Sequence, residues 1–272
     1  MRRAILCFAA LACACADPFD PASYVQGLRV LAVRAEPPEV APGGSTTLTS
    51  LAVDTTGAAV QIQWTACTEP AVTGSGVINP ACFGGGPAPY LVPLGSGSQV
   101  AATIPAVTPS DFGPPDASGG LYLPIVLDAG SASGAVKASY RLRLAQGTTP
   151  NHNPALSGMY VVAADGTLTP LYEGTPLAVG PGDQVKLRVE FAAGSAETYQ
   201  TLVGGTVTEI LRASWFATGG SLSEPVTGEA KPDTVWSADE HLPPSGGTVD
   251  LWAVGRDERG GTDFIHRSLV MR

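Results

Sequence analysis

The sequence predicts an all-β protein: two antiparallel β-sandwich domains that follow an export signal. Three observations point there. Long stretches alternate apolar and polar residues with period two, a turn motif recurs in the two halves of the 272-residue chain, and glycine (33) and proline (24) make up about a fifth of it. Period two sends successive side chains to opposite faces of a strand. Gly and Pro ordinarily total roughly 12% of residues, and both disfavour long helices. At 44% hydrophobic, the chain has enough apolar surface for packed cores. At about 150 residues per domain, two domains are expected. The net charge of −9 argues against nucleic acid as a partner, because phosphate binding needs a basic face.

The first element is the export signal, residues 1–14. Arg2 and Arg3 form a basic start, and Ala4 to Ala14 carries no charge. That run is too short to span a bilayer, which takes about 20 apolar residues. Ala12-Cys13-Ala14 is a small-residue cleavage site, which places the cut before Cys15.

Ala12-Cys13-Ala14-Cys15 resembles the lipobox of bacterial lipoproteins, in which a cysteine after small residues becomes the acylated first residue. The resemblance implies lipidation of Cys15, with Cys13 as the alternative. More than one acyl chain is what stable anchoring requires. Ala16 stands directly after Cys15 and Asp17 comes one later, an order that by the same resemblance leans towards the outer membrane. Residues 15–26 then read as a lipid-anchored tether, because the prolines in Asp17-Pro18-Phe19-Asp20-Pro21 disfavour helix.

Removal of the signal and acylation of Cys15 leave Cys67 and Cys82, an even pair in an oxidising compartment, which predicts a disulfide. Zinc at these cysteines would need two further ligands, and His152, His241 and His266 are all distant in sequence.

Strands follow. Val60, Ile62 and Trp64 alternate with glutamines and a threonine. Val136, Ala138, Tyr140, Leu142 and Leu144 alternate with Lys137, Ser139, Arg141 and Arg143, and Val185 to Phe191 does the same. Such segments are half-buried strands of antiparallel sheets. The mixed pattern of Ser195–Leu211 is the best place for a short helix or turn. Val40-Ala-Pro42-Gly43 with Leu48 and Val179-Gly-Pro181-Gly182 with Leu187 repeat one V-x-P-G-x-x-x-x-L pattern, a turn followed at once by a strand. The repeat predicts a duplicated domain.

The V-x-P-G turn, the preceding Arg34–Val40 segment and Trp64 resemble the start of bacterial immunoglobulin-like domains. The resemblance implies an immunoglobulin-like sandwich, with Trp64 in its core. Cys67 and Cys82 depart from the antibody pattern, whose bridge joins the two sheets around the tryptophan. Here the bridge would staple a loop outside the core. The expected domains are 27–147 and 154–272, parted by the turn-forming Gly147–Pro154. The second is expected to end in a hairpin of Val249–Arg256 and Thr262–Met271. Leu28-Arg-Val-Leu31, Ser214-Trp-Phe216, Thr218-Gly-Gly220, Trp252 and Arg256-Asp257 with Arg259-Gly-Gly261 also resemble a group of lipoproteins of high-GC Gram-negative bacteria. That resemblance implies architecture and envelope location, and no activity.

The chain has no G-x-S-x-G, no H-E-x-x-H and no phosphate loop. His152 and His241 read as loop residues and His266 as a surface or half-buried strand residue. Asp257, Glu258 and Asp263 could offer oxygen ligands to calcium. The alternative is a solvated turn whose salt bridges contribute little. Trp64, Trp215 and Trp252 are expected in cores, while Trp236, in a polar stretch, is the candidate exposed binding aromatic. The sequence thus predicts a non-enzyme without cofactor or metal: an envelope lipoprotein acting as a structural or interaction module, held to the membrane by its lipid. Envelope proteins and glycans are its candidate partners. The alternative is a carbohydrate- or peptide-binding module at the cell surface, which predicts a row of exposed aromatics. A hydrolase would need a histidine or carboxylate touching a nucleophile.

Overall fold

The computed structural model describes residues 20–71, 78–84, 89–145 and 149–272. The lipidation candidates Cys13 and Cys15 and the signal lie outside them. Among the described residues there is no α-helix.

The first half holds β1 (Leu28–Glu36), β2 (Glu39–Val40), β3 (Ser45–Asp54), β4 (Gln61–Cys67), β5 (Leu91–Ser96), β6 (Gln99–Thr103), β7 (Leu121–Ser131) and β8 (Gly134–Leu144). They form a three-stranded sheet, β1-β3-β6, facing a five-stranded sheet, β2-β8-β7-β4-β5. The second half begins with β9 (Leu156–Val162), β10 (Leu168–Leu171), β11 (Leu177–Val179), β12 (Gln184–Phe191), β13 (Thr198–Gln200) and β14 (Thr206–Thr208). It continues with β15 (Arg212–Ala217), β16 (Ser221–Leu222), β17 (Val226–Gly228), β18 (Asp233–Ser237), β19 (Thr248–Arg256) and β20 (Thr262–Met271). Here β10-β9-β12-β18-β16 faces β11-β20-β19-β15-β17. Both halves are immunoglobulin-like sandwiches.

The two V-x-P-G turns occupy equivalent places. Gly43 and Gly182 take φ of +80° and +81°, a region in which a side chain is strained. Each turn follows a short strand that pairs in parallel with the last strand of its own half, β2 on β8 and β11 on β20. Each turn also leads into a central strand, β3 or β12, where Leu48 and Leu187 are fully buried. The repeat is therefore structural as well as textual. These two parallel contacts are exceptions to the antiparallel pairing that alternation predicts.

Each core forms around buried indoles. Trp64 packs with Leu48, Ile125, Leu127 and Leu142 in the first core, and Trp215 with Leu187, Leu251 and Met159 in the second. A buried indole N–H needs an acceptor. Trp64 Nε1 donates to Gly97 O over 2.8 Å and Trp215 Nε1 to Thr227 Oγ1 over 2.9 Å.

Of the short helix or turn expected in Ser195–Leu211, the structure has the turn, in the hairpin β13–β14, where Thr198, Tyr199 and Gln200 pair with Thr208, Val207 and Thr206. Two expectations are corrected. The described part of the tether, residues 20–26, is not free. Tyr24 bridges to Ala217 of β15, and Val25 is buried to 1% exposure against Leu31 and Trp252. Trp236 is fully buried, and its Nε1 donates to Gly219 O over 2.8 Å. It lies on β18, where Thr234 and Trp236 are buried, as is Ala238 just past the strand's end. The small inward neighbours on either side hid that alternation in the sequence.

Candidate functional site

The structure brings its charged and polar side chains together where the two sandwiches meet. The linker residues Asn151, His152 and Asn153 sit in this joint. Asn151, 2% exposed, donates its backbone N–H to Glu39 Oε2 (3.0 Å) in the first sandwich and its Nδ2 to Asp257 Oδ2 (3.3 Å) in the second. Asn153 Nδ2 donates to Ala35 O (2.7 Å), while its Oδ1 accepts from Thr262 N (2.8 Å). His152 has an exposed ring whose Nδ1 lies 2.5 Å from Glu197 Oε1.

Two buried arginines flank this linker. Arg143, 3% exposed, donates to Glu39 (2.9 Å), Asp116 (3.2 Å) and Ser118 O (3.3 Å). Tyr122 donates to Asp116, and burial together with that carboxylate pushes its hydroxyl up to about 12. Arg259, 1% exposed, donates to Glu209 (2.6 Å), Glu197 (2.7 Å) and Thr149 O (3.2 Å) and lies 4.9 Å from the centre of the Tyr199 ring. Burial raises the Glu209 and Asp257 carboxyls above the usual carboxylate range. A buried charge is tolerated only when paired and hydrogen-bonded, as these arginines are.

The final hairpin turn is part of this network. Asp257 Oδ1 accepts from Arg259 N and Gly261 N, both over 2.8 Å. Asp263 accepts from Leu156 N (2.8 Å) and Arg34 (3.3 Å). Both acids thus serve the joint, which corrects the reading of a solvated turn. Among the described residues no group of three or more His, Cys, Asp or Glu is placed to hold a metal ion. Nothing in the sequence marked Arg143, Glu209 or Asn151 for these roles, since their partners lie far along the chain.

Beside the polar network runs an apolar seam in which Leu31, Leu51 and Val53 of the first sandwich meet Phe216 and Trp252 of the second, with Val25 among them. Trp252 is therefore buried, as expected, but between the sandwiches and not within a core. Arg256 crosses the same seam to Leu31 O (3.1 Å).

Two clefts open along the seam. The smaller, about 430 Å³, lies between Val30–Val33, Tyr140 and the Arg256–Thr262 turn. The larger, about 750 Å³, lies between Ala52–Ile62 and a wall of Trp252, His266 and His241. His266 stacks on Trp252 with ring centres 5.2 Å apart, and its Nε2 lies 2.8 Å from Asp250 Oδ1. His241 stacks on Tyr24 at 4.2 Å and lies 3.5 Å from Asp20. Among the described residues neither ring hydrogen-bonds to a serine, threonine or cysteine, the contact a hydrolytic nucleophile would need.

Cys67 and Cys82 are bonded, with Cα atoms 5.6 Å apart. The bridge ties the end of β4 to a single 3-10 turn, Pro80–Phe83. Cys67 faces away from Trp64 and lies outside the Trp64 core, as expected, fully buried in a small cluster of its own with Val126, Ile78 and Leu91. All four tryptophans are buried, and the described aromatics most open to solvent, Phe83 and Tyr172, sit on different sandwiches. A row of exposed aromatics is therefore not found among the described residues.

No protein-family model matches the chain, and no curated protein matches it. Among solved structures it is similar to the Ig1-2 module of Drosophila receptor protein tyrosine phosphatase DLAR, at 11% identity and TM-score 0.27, covering 91% of this chain and 100% of that one. It is similar to three N-terminal domains of the bacteriophage RB49 Hoc protein, at 9% identity and TM-score 0.25, covering 90% and 70%. It is also similar to Escherichia coli alpha-2-macroglobulin, at 13% identity and TM-score 0.26, covering 92% and 22%. The immunoglobulin-like class rests on the strand order itself.

Proposed function

We propose that this chain is a non-enzymatic, lipid-anchored envelope protein that acts as a structural or interaction module. The observation that carries this reading is the joint. Arg143–Glu39 and Arg259–Glu209 order the two faces of the joint, each within its own sandwich, while Asn151 ties Glu39 to Asp257 and Arg34–Asp263 and Arg256–Leu31 O cross directly, so the two sandwiches are held as one unit. A rigid pair of sandwiches suits a spacer or display role, with loops as the variable surface. The anchor rests on the lipobox resemblance at Cys15, and the outer membrane on Ala16 after it. Intact-mass analysis of the mature protein tests the anchor. The expected species begins at Cys15 and carries acyl mass, and Cys15→Ser releases the protein or leaves it unprocessed. A species beginning at Cys15 without acyl mass overturns the anchored reading.

The larger cleft favours binding of a peptide as a second reading. Its volume of about 750 Å³ is within the range of ligand sites, which concentrate at domain interfaces.

A further inference from the structure

We propose that the larger cleft between the sandwiches binds a short basic peptide segment of a partner protein, seating an alkylammonium or guanidinium side chain at Asp250. This deepens the interaction-module reading and rests on it.

The cleft has the two parts such a ligand needs. Val53, Val60, Leu242 and Pro243 supply apolar walls, and Trp252 with its stacked His266 supplies an aromatic one. The methylene stem of a lysine or arginine packs on such surface while its charged head seeks a carboxylate. Asp250 offers one. Its Oδ1 is held by His266 (2.8 Å) and Ser268 (3.2 Å), while its Oδ2 accepts no hydrogen bond from a described residue. The His266 hydrogen bond holds its carboxyl below the usual range, so it is anionic at neutral pH. Asp54 lies at the rim of the cleft, with both carboxylate oxygens engaged outside it. Ser131, Ser133 and Thr56 donate to it, all neutral groups that leave its charge uncompensated. Among the described residues no lysine or arginine lines the cleft.

Charge complementarity therefore selects a cationic ligand, and the volume selects several residues over a single side chain. Cation and stem together explain why an acidic, partly aromatic cleft would suit a basic peptide better than a sugar, whose hydroxyls need no net charge.

The test is calorimetric titration of the full chain in mild detergent, with acetyl-Leu-Lys-Leu-Lys-amide as the probe. Expected are saturable one-to-one binding, no binding of the glutamate counterpart, and about tenfold weaker binding by Asp250→Asn. Ala58→Lys, which places a competing ammonium in the cleft without removing a hydrogen bond, should weaken the peptide comparably. Equal binding of the glutamate peptide, no saturable binding of the lysine peptide, or unchanged affinity in both variants overturns the proposal. Spermidine binding as tightly as the peptide overturns the peptide source in favour of a free polyamine. Binding is measured whether or not the chain carries acyl groups, so this test and the anchor test fail separately.

Discussion

The backbone N–H of Asn151 donates to Glu39 Oε2 over 3.0 Å, onto an oxygen that Arg143 already holds at 2.9 Å. One carboxylate of the first sandwich thus ends its own strand network and grips the linker. The same asparagine reaches Asp257 of the second sandwich. The order of the joint follows from this shared contact.

Arg259→Ala is expected to cost about 3 kcal/mol, because it leaves Glu209 buried without its partner. Differential scanning calorimetry should show a lower Tm for the second sandwich, to which both partners belong. A loss under about 1 kcal/mol would show that the pair behaves as a solvated one.

Acid sensitivity has a defined sign at Asp233. Hydrogen bonds from Arg188 (2.6 Å) and Lys186 hold its carboxyl below the usual range. Its contribution is fully present above the unfolded value of about 3.9 and is lost as pH falls through the lower folded value. Asp233→Asn should lower stability at pH 7 and flatten the stability curve below about pH 4. Urea unfolding across pH 2–7 would read both, and parallel curves for variant and wild type would count against the assignment.

Reduction of Cys67–Cys82 should cost about 3 kcal/mol, the chain-entropy value for a closed loop of about 15 residues. Trp64 belongs to a different cluster from Cys67, so the first core should survive. Hydrogen exchange should rise in residues 78–84 and stay low in β4 and β7. Faster exchange throughout β7 would place the bridge at the centre of the fold.

Gly220 has φ +71°, and a Cβ there would come within 2.5 Å of the Trp236 ring and of Ser237 O. Gly220→Ala combines a left-handed penalty of about 1 kcal/mol with that clash. Chemical denaturation should show a loss of about 2 kcal/mol or more, with altered indole fluorescence. Gly57, also at positive φ but with open space around its Cβ, should lose only the smaller amount on the same change.

Residues far apart in the sequence meet at the joint: Leu31, Phe216 and Trp252 form the apolar seam, and Asp257 and Arg259 belong to the polar network. Each stands in the sequence, but their meeting point does not.

Local rules make much of the fold legible in the sequence. Alternation in β8 and β12 places Leu142, Leu144 and Leu187 inside, because pleating depends only on neighbours in the chain. The V-x-P-G turns sit where their Gly and Pro backbone preferences put them, and Cys67 and Cys82, the two cysteines among the described residues, are joined. Trp236 shows where local reading stops: its flanking residues are polar or small, and tertiary burial on β18 outweighs them. The joint lies further beyond such rules. Arg259 meets a glutamate 50 residues away, and Asn151 meets one 112 residues away. Whether a charge is buried and paired, or solvated, depends on which distant group the packed sandwiches bring to it, and no spacing along the chain encodes that.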